Sequence, residues 1–143
     1  MKPVYRNILS VVAGLLGGGI LNMALVEVGG MVVPAPAGAD VTSMESLKAS
    51  MHLFTPINFL FPFLAHALGT LVGAILAALI AADHKMLFAL SIGVFFLVGG
   101  ILNILMLPSP LWFTLFDLVV AYIPMGYLGG LICRKSKTGN REP

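Results

Sequence analysis

Charge is the scarcest commodity in this chain. Only 10% of its 143 residues are Asp, Glu, Lys or Arg, against about 25% in a soluble domain. So few charges do not solvate a globular surface, and the solvent that fits is lipid. The net charge of +2 is too small to point to nucleic acid. Cysteine is nearly absent. The one thiol, Cys133, excludes an intrachain disulfide and a Cys-x-x-Cys redox pair, and with them a dithiol membrane oxidoreductase of the usual kind. Catalytic signatures are missing too: there is no His-Glu-x-x-His, no Gly-x-Ser-x-Gly and no phosphate-cradling glycine loop beside a strand. No ligand spacing supports a metal site built from Glu27, His66 and Asp117, so neither metal nor cofactor is expected.

What the chain has is apolar length. It is 59% hydrophobic, with a mean hydropathy of +1.01. Four stretches, at about 8–33, 57–82, 86–107 and 111–133, each reach the roughly 20 residues that a bilayer core requires. Backbone groups in lipid must be satisfied within the segment, so each is read as a helix. The expected fold is all-α: an integral membrane four-helix bundle over 1–133, followed by a basic cytoplasmic tail at 134–143 that reads as disordered. The N-terminal stretch has the basic start of a signal peptide, but its apolar run exceeds the 7–15 residues of such a segment, so it is read as a span.

Basic residues orient the bundle. Lys2, Arg6, Lys85, Arg134, Lys135, Lys137 and Arg141 fall on one side, and Lys48 alone on the other. The positive-inside rule then puts both termini in the cytoplasm of a multi-pass inner-membrane protein. The loop at about 34–56 lies outside. Pro34 and Pro36 stiffen its start, and Thr42-Ser43-Met44-Glu45 has capping-box spacing. A short amphipathic helix is expected there, with Met44, Leu47, Met51 and Phe54 on one face and Glu45, Lys48 and His52 on another. Pro56, Asn58 and Pro62 are expected to bend the start of the second span.

The spans look like one hairpin used twice. Gly18-Gly19-Ile20-Leu21-Asn22 returns as Gly99-Gly100-Ile101-Leu102-Asn103, and Ala65-His66 with Gly73-Ala74-Ile75-Leu76 returns as Ala121-Tyr122 with Gly129-Gly130-Leu131-Ile132. Parallel repeats of this kind occur in transporters. Glycines at one-turn spacing mark close helix contacts: Gly14 and Gly18, Gly69 and Gly73, Gly99, and Gly126 with Gly130. Two of these sets form G-x-x-x-G faces, which suggest a homo-oligomer or a membrane-protein partner in addition to membrane lipid.

The remaining signal is polar groups at lipid depth. Such groups are costly and usually face the bundle interior. Counting along each helix from its outer end puts Glu27, Asn103 and Asp117 nearest the outer surface, and Asn22 and His66 deeper. Thr70 lies one turn below His66. The pattern implies an outward-facing polar pocket of Asn22, Glu27, His66, Thr70, Asn103 and Asp117 above an apolar floor. Three functions are compatible with it: binding or transport of a small solute or lipid, an accessory role in a larger membrane complex, or a membrane-embedded enzyme using His66 with Glu27 or Asp117.

Several short motifs carry a resemblance. They are Glu27 followed by Pro34-Ala35-Pro36-Ala37-Gly38-Ala39-Asp40, then Ala67-Leu68-Gly69, then Gly99-Gly100-Ile101-Leu102-Asn103 with Pro108-Ser109-Pro110-Leu111-Trp112. On these residues the chain resembles a group of small four-span bacterial inner-membrane proteins. The resemblance implies the four-span architecture and carries over no activity. In that group a histidine and a tyrosine are expected where this chain has Gly30, Met31 and Val33, so no metal or proton role is carried over to the outer end of the first span.

Overall fold

The computed structural model describes residues 1–138, the side chains of 135–138 excepted. Its helices are α1 (Pro3–Val32), α2 (Met44–Ser50), α3 (Leu60–Ile80), α4 (Lys85–Met106), α5 (Leu111–Val120) and α6 (Ile123–Thr138), and no strand occurs among the described residues. Four helical stretches, Pro3–Val32, Pro56–Ile80, Lys85–Met106 and Leu111–Arg134, are long and apolar enough to cross a membrane.

Local chemistry sets the helix ends. Pro3 opens α1, where its missing N–H has no intrahelical role and its fixed φ suits the helix. Pro34 disfavours helical geometry at the residue before it, and α1 stops at Val32. Pro62 falls in the first turn of α3, where the N–H groups lack helical partners anyway, so α3 tolerates it. A 3-10 turn, Pro56–Phe59, leads into α3 and is capped reciprocally by Thr55 and Asn58. At the other end of α3, Arg6 Nε donates to the Ile80 carbonyl at 2.6 Å. Asn7 accepts from the Ala82 N–H at 2.9 Å and donates to Asp83 at 3.2 Å. These contacts satisfy backbone groups that a helix end leaves open. The His84 side chain and then Asn7 hold the exposed Asp83 carboxyl below the usual carboxylate range.

The bundle interlocks at glycines. α1 packs mainly on α3, while α3, α4 and α6 contact one another. A Cβ on Gly14 would stand 2.7 Å from the Gly73 carbonyl oxygen, and one on Gly18 would stand 2.5 Å from that of Gly69. Gly126 meets Gly93 backbone, and Gly130 meets Met86 and Ala89. Both G-x-x-x-G faces are therefore spent inside the chain, on α1 and on α4. That removes the surfaces on which self-association was expected. Gly99 departs from its expected packing role, because nothing lies within 4 Å of its Cβ position. Gly93, Gly100 and Gly129, not among the expected contact glycines, make close contacts instead. The lower half of the bundle is sealed by buried Ala74, Ala77, Ala78, Ala89, Ile92 and Cys133.

Three expectations need correction. The stretch 111–133 is two helices, not one. Pro124 has no N–H for the Val120 carbonyl and its ring would clash there, so α5 ends at Val120 and the chain turns at 121–122 before α6. The tail is helical as far as Thr138, because Arg134-Lys135-Ser136-Lys137 contains no helix breaker and basic residues favour a helix C-terminus; 139–143 lie outside the described residues. Finally, the cap of α2 is Ser43 with Ser46, not Thr42 with Glu45. Thr42 is taken by Asp40, whose carboxylate accepts from the Thr42 hydroxyl at 2.6 Å and its N–H at 2.9 Å. Those two bonds hold the Asp40 carboxyl below its usual range.

The 33–59 segment folds back over one end of the bundle. The Asp40 N–H donates to buried Ser50 at 2.9 Å and closes the segment on itself. Gly38 has φ +85° in the turn closed by the Ala39 N–H on the Pro36 carbonyl, a conformation that costs other residues about 1–2 kcal/mol. Gly38→Ala is expected to loosen this segment by about 1 kcal/mol, read as faster amide exchange over 34–59 with the bundle unchanged. Unchanged exchange there would show that the turn does not hold the segment.

Candidate functional site

The 33–59 segment roofs a cavity of about 690 Å³ between the ends of the helices. Leu47, Met51 and Phe54 supply part of the roof. They lie on the face expected of an amphipathic helix, although that helix ends at Ser50 and a 3-10 turn, Met51–Leu53, continues it. Met44, expected on the same face, is 47% exposed.

Asp117 is the centre of the floor. It is 2% exposed, on the last turn of α5. Its carboxylate oxygens lie 3.0 and 2.9 Å from His66 Nδ1 on α3. The Tyr122 hydroxyl, from the turn between α5 and α6, donates to Oδ2 at 2.9 Å. The imidazole and phenol rings stack, with centroids 5.8 Å apart and planes at 30°. The break at 121–122 makes this possible: it turns Tyr122 back toward a residue five positions earlier. Gly100 on α4 completes the fit, since a Cβ there would strike the Tyr122 hydroxyl.

Asn22, His66, Thr70, Asn103 and Asp117 all line the cavity. Glu27 does not; it is exposed on the outer face of α1, without a side-chain hydrogen bond or ion pair. Thr70 is occupied, donating to the His66 carbonyl at 2.7 Å. Asn22 is unsatisfied: its Oδ1 is shut from solvent and has no hydrogen-bond partner. Asn103 makes no side-chain hydrogen bond either. Among the described residues no three His, Cys, Asp or Glu side chains gather as metal ligands.

Tyr122 is the residue that a search for ionisable groups at lipid depth passes over. Its signal was the repeat, which set it at the position of His66. The structure brings these two matched residues onto one carboxylate, and the matched Asn22 and Asn103 onto one cavity. The matched glycines do not share a role, for Gly18 packs against α3 while Gly99 faces open space.

Chemically, the site is a buried carboxylate that fixes an imidazole. Asp117 engages Nδ1, and among the described residues Nε2 is left without a hydrogen bond, open to donate to or accept from a ligand. The lining contains no Lys or Arg. A second, apolar crevice of about 360 Å³ opens on the flank between the starts of α3 and α5. Phe59 and Phe113 line both spaces, with ring centroids 4.8 Å apart, so this ring pair is a wall between them. No family model matches the chain, and neither a curated protein nor a solved structure matches it.

Proposed function

We propose that this chain is a polytopic membrane protein that binds a small solute or lipid in the roofed cavity, as a carrier or transporter. One observation carries the reading: a cavity of about 690 Å³ lies over the His66–Asp117–Tyr122 cluster, with the Asn22 amide unsatisfied beside it. Ligand sites are concave and mostly apolar, with a few placed polar groups. The pairing of repeat-matched residues around one cavity supports a two-hairpin origin of the kind found in transporters.

Four apolar helices support membrane insertion. Lys2, Arg6, Lys85 and Arg134 lie toward the end opposite the roof, and among the described basic residues only Lys48 lies at the roof. The positive-inside rule then puts the termini in the cytoplasm and the cavity outside, consistent with the inner-membrane group that the motifs resemble. An impermeant maleimide added to intact cells is expected to label Lys48→Cys; labelling only after lysis would reverse the orientation.

Gly99 supplies the test of binding, because it lines the cavity and has open space at its Cβ position. Native mass spectrometry of the protein released from its own membrane is expected to show a retained small molecule. Gly99→Trp should fill the space and reduce retention by about tenfold or more without unfolding the bundle. Equal retention in both proteins would sink the reading.

Glu27 favours a second role, as an accessory subunit of a larger membrane complex or of an assembly of this chain with itself. An outward-facing acid within a span is costly in lipid unless a partner covers it. Glu27→Gln is then expected to weaken a stoichiometric complex in mild detergent. An equally stable complex, or none with the unchanged protein, would count against this role.

A further inference from the structure

We infer that the cavity selects an uncharged lipid-soluble molecule with a hydroxyl head, and rejects fatty acids, phosphate-headed lipids and cationic amphiphiles of the same length. The inference rests on the proposed binding role and names the class of ligand that the cavity takes.

Charge is the first discriminator. The lining offers no Lys or Arg to neutralise a carboxylate or a phosphate. Its one acid, Asp117, is 2% exposed and already accepts from His66 and Tyr122. An anionic head would have to shed water beside that carboxylate, and the one lining group able to carry a positive charge, His66, is already paired with Asp117; burying an unpaired charge is among the costliest events in a protein. A cationic head meets the opposite difficulty. The acid that would attract it is already engaged by two donors, and one of them, the imidazole, would repel a cation whenever it carries a proton.

The free hydrogen-bonding groups then specify the head. They are the Asn22 amide, the Asn103 amide and His66 Nε2, none of which has a side-chain hydrogen bond among the described residues. An amide side chain both donates and accepts, and Nε2 does one or the other according to its protonation. A hydroxyl also does both, so it satisfies these partners in every state. A ketone or an ether only accepts.

The tail follows from the rest of the wall. Phe61, Phe96, Ile104 and Leu107 line the cavity as an apolar sleeve. Beyond the Phe59–Phe113 ring pair, Ile57, Leu60, Phe63 and Phe116 continue an apolar surface out to the flank. A chain longer than the cavity has this crevice as its route toward lipid once the two rings part. Trp112, the single tryptophan, stands with its ring centroid 5.8 Å from those of Phe59 and Phe113 and reports on that wall.

The test uses the full chain in phosphatidylcholine vesicles. A long-chain alcohol is titrated against the chain-matched carboxylic acid, alkyl phosphate and alkyltrimethylammonium, with Trp112 emission as the readout. The alcohol is expected to saturate at a concentration at least about tenfold below the other three. Asn22→Ala and Asn103→Ala should each raise the alcohol's Kd about five- to tenfold, the effect of one lost hydrogen bond, and leave the acid unaffected. Asn103 is exposed, so its variant guards against a folding defect at Asn22. If the acid, the phosphate or the ammonium binds as tightly as the alcohol, the ligand class is overturned while the binding role stands. Alcohol binding that ignores both asparagine variants overturns the placement of the head. No saturable response to any of the four, together with equal ligand retention in Gly99→Trp, overturns both.

Discussion

Gly18→Ala is expected to destabilise the bundle, while Gly19→Ala stabilises it. The two changes add the same methyl group to neighbouring positions of one helix. In the helix interior each gains about 0.5–1 kcal/mol, because alanine loses less backbone entropy on folding than glycine. The surroundings decide the sign. At Gly19 nothing lies within 4 Å of the new methyl, so the gain survives. At Gly18 the methyl would stand 2.5 Å from the Gly69 carbonyl oxygen and 3.1 Å from the Gly73 Cα. Both are backbone atoms, so relief requires α1 and α3 to separate along their main contact. Overpacking of this kind costs about 1–3 kcal/mol, and more where rigid elements must shift, so a net loss of about 2 kcal/mol is expected. Reversible unfolding in mixed detergent micelles reads both changes. Equal effects at Gly18 and Gly19 would show that α1 does not lie on α3 as described.

His66→Leu is expected to cost about 3 kcal/mol, and the triple change His66→Leu, Asp117→Leu, Tyr122→Phe to cost much less. The single change leaves a carboxylate that is 2% exposed with one donor, Tyr122. Removing one partner of a buried pair costs about 3–5 kcal/mol, and the Tyr122 bond that remains places the expectation at the low end. The triple change removes the charge and both donors together, leaving nothing unsatisfied, and apolar replacement of a whole buried set is often neutral. The measurement is the same unfolding equilibrium, with the three single changes beside the triple. Additive losses would show that the three groups are independent. A stable triple variant that no longer retains a ligand would separate the cluster's role in binding from its role in stability.

Much of the architecture could be read from the sequence because its signals are local. Apolar runs long enough for a bilayer are visible one segment at a time, and α3 and α4 begin and end within a few residues of the expected bounds. Glycine spacing marked Gly14, Gly18, Gly69 and Gly73 as contact positions but offered the Gly69–Gly73 face for self-association; in the fold that face lies against α1, because only glycine admits backbone as close as Gly18 is to Gly69. Depth along each span also placed Asn22, His66, Asn103 and Asp117 at one end of the bundle, since rise per residue is nearly constant in a helix. Depth says nothing of rotation about the helix axis. Glu27 shares that depth but points outward, whereas Gly99, expected at a contact, faces open space.

Four long helical apolar stretches, polar groups gathered toward one end, and glycines at one-turn spacing as contact positions are all legible segment by segment. These follow from periodicity, composition and rise, which are properties of a single segment. Packing between distant segments is what makes Asp117 gather His66 and Tyr122, sets the 33–59 segment over a cavity, and consumes both G-x-x-x-G faces within the chain. Each depends on helix rotation and on the turn at 121–122, which arise when segments distant in sequence pack together.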